Sequence, residues 1–153
     1  MFVDTGPAPA EETPITSSAF WPPVLPSAAR AAVRLEGNVT AARLRHALIT
    51  AIAAINAELA DWRTVRQAEG YAALVAVPAE QIDGVSVLAI DYQRAVYATA
   101  KAELIERYRD FDATNAADRR ADALDPTADD YRRDARLAVR RILGLSPSTV
   151  ELI

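Results

Sequence analysis

Hydrophobic positions recur with helical spacing in three stretches of the chain and lose it between them. Leu44, Leu48, Ala51, Ile55, Leu59 and Trp62 follow a 3.6-residue repeat, with Ile52 and Val65 widening the stripe. This spacing predicts a long amphipathic helix from Ala41 to Glu69, with Thr40 as its N-terminal cap and Gly70 as its stop. A second stripe, Ile90, Tyr97, Leu104, Tyr108 and Phe111, is joined by Val96, Ala100 and Ile105. It predicts a helix of similar length that starts near Val85 or Ser86 and ends around Asp112. In the third stretch Tyr131, Ala135, Ala138 and Ile142 share one side of a helix, while Arg133, Arg136 and Arg140 lie opposite. Thr127 caps that helix, Asp129 and Asp130 suit its positive N-terminal end, and Gly144 follows its last residue, Leu143.

Shorter elements fill the gaps. Ser27 is the expected cap of a short helix through Leu35, broken by Gly37 and Asn38, and a further helical piece is expected near Asn115 to Ala123. Residues 71–84 hold Pro78, Asp83 and Gly84, a turn-rich link in which Val75, Val77 and Ile82 are expected to cover the end of a helix bundle. Residues 1–25 contain five of the nine prolines and show neither helical nor strand periodicity, so they read as an extended arm. Phe20 and Trp21, directly before Pro22 and Pro23, are its natural anchors, either on another chain or folded back on this one. Residues 145–153 read as an extended apolar tail with no partner strand in this chain, so Leu145, Val150, Leu152 and Ile153 are expected to contact other chains. The expected architecture is all-α. A small bundle with two long antiparallel helices spans residues 26–144, between an arm at 1–25 and a tail at 145–153.

Composition narrows what such a bundle does. With 153 residues and 51% hydrophobic positions the chain suffices for one domain with a sizeable core. A formal charge of -4 argues against a protein that grips duplex DNA over a broad surface. There is no cysteine and one histidine, His46, which has no nearby carboxylate at metal-ligand spacing. Asp110, Asp112 and Thr114 faintly follow a calcium loop, but Asn115 stands where the turn needs glycine and Ala121 where a bidentate glutamate is needed. Glu103 and Glu106 lack an accompanying Glu-x-x-His and read as partners of Arg107 and Arg109. The five glycines all sit at breaks, which leaves no phosphate-cradling loop. Neither a catalytic site nor a metal or cofactor is expected. No basic residue precedes Arg30 and prolines crowd the start, so no secretory signal is read, and the longest apolar stretch is too short to span a bilayer.

A collinear set of short segments carries a resemblance. Ala42-Arg-Leu-Arg-His-Ala-Leu48, Ile55-Asn-Ala-Glu-Leu59, Val77-Pro78, Ile82-Asp-Gly84 and Tyr92-Gln-Arg-Ala-Val96 come in order. Leu104-Ile-Glu-Arg-Tyr-Arg109, Asp112, Ala121-Asp122, Asp125, Thr127, Arg133-Asp134, Ala138 and Arg141-Ile142 follow. Over about Pro22 to Ile142 the chain resembles the head completion/stabilisation proteins of contractile-tailed temperate phages. The resemblance implies a structural protein of the virion neck that docks as a ring, twelve copies by family precedent, beneath the portal after DNA packaging. It implies as partners the portal ring, neighbouring copies, a tail-proximal neck or tail terminator protein, and packaged DNA in the channel without sequence-specific binding. Beside the tail and the aromatic pair, Arg107, Arg109, Arg133, Arg136 and Arg140 are the expected contact residues, although surface ion pairs account for them nearly as well. The alternative is a helical DNA-binding packaging or regulatory factor that uses residues 29–45 as a helix–turn–helix and the arginine face on phosphates, which would make its binding salt-sensitive.

Overall fold

The computed structural model describes residues 12–35, 38–108 and 125–146. Within them the chain forms α1 (Pro26–Ala32), α2 (Ala41–Glu58), α3 (Ala60–Ala68), a 3-10 turn (Leu74–Ala76), a hairpin of β1 (Gln81–Ile82) and β2 (Val85–Ser86), α4 (Val87–Tyr108) and α5 (Ala128–Ile142). The architecture is therefore mostly helical, with one small antiparallel sheet that the all-α expectation lacked.

The central element is α4. Tyr92, near its start, donates to Asn56 near the end of α2, while Tyr108 at its end lies beneath Arg43 near the start of α2. The two helices therefore run in opposite senses. On another flank α5 packs against α4, also reversed, because Asp91 meets Arg141 and Glu106 meets Arg132. Ala95, Ala98 and Ala102 of α4 are buried, as are Ala135 and Ala138 of α5. Small side chains let the two backbones approach closely and leave Val139 and Ile142 to reach the common core. A helix with partners on two flanks has no single apolar stripe, which is why Ile90, expected inside, stands 37% exposed.

The long helix expected over 41–69 is two helices. At Leu59 the backbone leaves helical geometry (φ -95, ψ 7) while the side chain stays fully buried. α3 buries no residue completely and instead sets Trp62 edge-on against Phe20 at 6.2 Å. The bend thus serves the arm, which lies over this end of the bundle. Residues Ile15 and Val24 bridge each other in both directions, at 2.8 and 2.9 Å, closing a loop that carries Phe20 and Trp21. The Leu74 N–H donates to the Phe20 carbonyl at 2.8 Å and the Arg45 guanidinium to the Thr13 carbonyl at 2.7 Å. Phe20 and Trp21 are 2% and 4% exposed. As anchors for another chain they are corrected: both belong to this chain's own core, because two aromatics bury more area against a preformed bundle than an isolated arm offers.

Three boundaries also differ from expectation. α1 starts at Pro26, not behind a Ser27 cap, because a first-turn proline needs no N–H partner and its φ is already helical; the helix ends at Ala32. Val75 and Ile82 do not cover the bundle end; they are 60% and 54% exposed, and Leu74 and Val77 are buried there. Asp83 and Gly84 (φ 51 and 73) form a two-residue turn with both φ positive, the geometry that matches strand twist in a hairpin. Elsewhere the expected signals operate. The Thr40 hydroxyl accepts from the Arg43 N–H, and Thr127 and Asp130 cap each other reciprocally. Gly144 (φ 70) closes α5, its N–H bonded to the Arg141 carbonyl and that of Leu145 to Arg140. The break at Gly37, the piece near 115–123, the loop at 110–121, and the end expected for α4 near Asp112 lie outside the described residues.

Candidate functional site

The described surface offers contact features in place of a reaction centre. No group of three or more His, Cys, Asp or Glu suited to a metal occurs among the described residues, and no helix among them is long and apolar enough to cross a membrane. His46 is exposed on α2. It lines a cleft of about 270 Å³ with Arg43, Glu103, Arg107 and Tyr108, where Arg107 is already paired with Glu103 at 3.1 Å.

The arginine face of α5 is present, and one of its three members is ion-paired. Arg133 pairs with Asp130 at 2.9 Å and Arg140 donates to the Ser146 carbonyl at 2.6 Å. Arg136 is exposed and makes no hydrogen bond or ion pair among the described residues. Asp130 is held below the usual carboxylate range, first by the Thr127 backbone N–H, then by the Thr127 hydroxyl and the Arg133 charge. Two further arginines clamp α5 to α4. Arg141 reaches Asp91 through Nη2 at 2.6 Å and Nε at 2.9 Å, and Arg132 bridges Glu106 and Asp129. Both guanidinium groups are pushed further up by those carboxylates. Sequence reading missed these two interhelix pairs, since it assigned Glu106 to neighbours on its own helix.

Arg107 lies at the end of α4 where α5 begins, next to Glu106, which holds Arg132, and is itself paired with Glu103. Leu145 is 51% exposed just beyond α5. Arg109, Val150, Leu152 and Ile153 lie outside the described residues.

A second cleft, of about 370 Å³, runs along α4 between the end of α1 and the start of α5. Ala32 and Val33 form one wall, Tyr131 and Asp134 the other, and Ile90, Arg94 and Tyr97 are among the floor residues. Arg94 is exposed and unpaired among the described residues. Burial raises the Tyr97 and Tyr131 hydroxyls above the ordinary phenol range, which keeps both uncharged there. The hairpin is the other unabsorbed feature. Ser86 turns inward and its Oγ accepts from the Leu88 N–H, so the neighbouring Val85 and its cross-strand partner Ile82 face solvent together, 44% and 54% exposed. Asp-Gly flanked by Ile and Val was the sequence signal that could have located it.

Comparison with known proteins agrees with the resemblance. The family described as phage head completion protein (GPL) matches residues 15–153. The chain is similar to the head completion/stabilization protein of Escherichia phage P2, 44% identical over 139 residues, which cover 90% of this chain and 82% of that protein. No solved structure matches.

Proposed function

The chain belongs to the phage head completion protein family, and from that premise we propose that it docks as a ring beneath the portal once DNA is packaged. As a member of a structural family it is a component of the virion. In the proposed role it stabilises the filled head at the neck and presents a platform for tail attachment. Its partners are the portal ring, neighbouring copies of itself and a tail-proximal neck or terminator protein, with packaged DNA passing through the channel without being held in sequence-specific fashion.

The single observation that carries this reading is the extent of the family match, which runs through the arm's aromatic pair, every described helix and the C-terminal tail. The physical design supports it. A subunit that must join an existing particle benefits from a complete core of its own and from contacts that become strong by repetition around an axis. The arginine face of α5 gives little separate support to the DNA-binding alternative, because Arg133 is paired with Asp130 and the chain carries a net charge of -4.

Native mass spectrometry of the chain alone, and after mixing with the portal protein encoded in the same genome, tests the proposal. A discrete ring-sized mass on the portal is expected. Failure to associate with either isolated portals or packaged, tail-free heads would refute the docking role.

A further inference from the structure

We propose that the β-hairpin of one copy inserts into the cleft between α1, α4 and α5 of a neighbouring copy, making a head-to-tail contact between subunits. The inference deepens the ring reading of the previous subsection and rests on it.

The two surfaces complement each other in shape. The hairpin turn has both central residues at positive φ, the geometry that matches strand twist, and it holds Ile82 and Val85 side by side on the solvent face. Nothing among the described residues covers this pair. The cleft, at about 370 Å³, exceeds the bulk of an isoleucine and a valine side chain together, and its walls and floor include Ala32, Val33, Ile90, Tyr97 and Tyr131. Strands of two residues are too short to recruit a further strand by edge pairing, so the side-chain face is what the hairpin has to offer.

Charge makes the occupant specific. Asp83 at the hairpin tip and Arg94 on the cleft floor both lack an ion-pair partner among the described residues. Asp134 shares the cleft with Arg94 and also acts on Arg141, and Asp91, one turn before Arg94 on α4, is itself paired with Arg141. A hairpin seated in the cleft brings Asp83 to Arg94. A symmetric hairpin-to-hairpin contact would instead set two Asp83 carboxylates together. Because each copy carries both the knob and the cleft, the contact repeats from one subunit to the next. The buried patch is smaller than a stable isolated dimer needs, which suits a contact that gains strength only when a ring closes.

The absence of cysteine in the chain permits a clean test. Ile82→Cys and Ala32→Cys proteins are mixed and oxidised, both free at high concentration and in heads completed with the two variants together. The expected product is an 82–32 heterodimer. Arg94→Asp in the cleft partner should reduce its yield about tenfold, and Asp83→Arg in the hairpin partner should restore it. Circular dichroism confirms that each variant is folded. A predominant 82–82 product, no cross-link in either setting, or a charge swap that fails to rescue would each overturn the inference. Heads that complete normally without the cross-link would remove the hairpin contact and leave the docking role standing. A cross-link in a protein that never joins heads would do the reverse.

Discussion

Replacing Trp21 with alanine measures whether the arm belongs to the fold. The indole is 4% exposed, stacked on Tyr92 with ring centroids 4.7 Å apart at 5°, and edge-on to Phe20 at 4.8 Å. A buried indole contributes about 200 Å² of apolar surface, worth about 5 kcal/mol at ~25 cal/mol per Å². One term opposes this. The indole Nε1–H is buried without a hydrogen-bond partner among the described residues, and an unmet donor costs about 2 kcal/mol that truncation removes. The net expectation for Trp21→Ala is a loss of about 3 kcal/mol, at the low end for deletion of a core tryptophan and a large part of a small domain's stability. Trp21→Phe keeps a ring in the stack and deletes the orphan donor, so it should cost about 1 kcal/mol or less. Urea unfolding followed by far-ultraviolet circular dichroism reads both. A Trp21→Ala midpoint within about 1 kcal/mol of the parent, at unchanged slope, would refute the reasoning and return the aromatic pair to the surface as free anchors.

Alkaline stability tests the same junction, since burial pushes the Tyr92 hydroxyl up to about 12 against opposing hydrogen bonds from Ser17 and Asn56. The unfolded chain ionises from about pH 10 while the folded one resists, so stability present below pH 10 should fall between pH 10 and 12; in urea titrations Tyr92→Phe should flatten that decline. At the other extreme Asp130 is held below its ordinary value of 3.8, so its contribution is complete above that pH and lost as pH falls through the lower folded value. Amide exchange should show α5 fraying from Thr127 in that acid range, and Thr127→Ala should cost about 1 kcal/mol at neutral pH by removing the hydroxyl half of the cap, while the backbone N–H of residue 127 still donates to Asp130. Arg136→Glu reverses an exposed charge without a described partner, so the thermal midpoint should hardly move; unchanged assembly onto portals would remove Arg136 from the contact surface. Removal of residues 147–153 should leave helical content intact and impair assembly, whereas a collapse of helical signal would place the tail in the subunit's own core.

Much of the helical skeleton was legible because it is written in local chemistry. Thr40, Thr127, Gly70 and Gly144 mark the ends of helices by cap geometry that depends on neighbours within four residues. What was not legible depends on distant partners. Leu59 carries no glycine or proline to announce a bend, and its break makes sense only with Phe20 of the arm resting on Trp62. The apolar stripe assigned to α4 placed Ile90 inside, because a periodicity count assumes one buried face and α4 has two, one of them built from alanines. The arginine face was read correctly as an arrangement on α5, but its two neighbours Arg132 and Arg141, which hold α5 against α4, needed knowledge of the helix pairing. The hairpin depends on chemistry that is local. Asp83-Gly84 makes its turn, and the flanking Ile82 and Val85 specify paired strands.

The distribution of these features bears on how such a subunit joins a particle. Its aromatic residues near the arm, Phe20, Trp21, Trp62 and Tyr92, are spent on the interior, where Trp21 and Tyr92 seal the bundle end. The arginines of α5 are mostly paired, and half-exposed pairs of this kind contribute about 1 kcal/mol or less each. What remains for contact among the described residues includes an aliphatic hairpin pair, two clefts, the unpaired Arg94 and Arg136, and exposed Leu145. In the proposed ring each such feature would make a small contact, and a contact well below the standard interface size holds two isolated subunits only weakly. The same contacts would repeat around the symmetric axis of that proposed ring and add, and closing the ring would convert the last of them into an intramolecular step. Weak pairwise association with strong templated association is therefore the behaviour this division between interior and surface predicts.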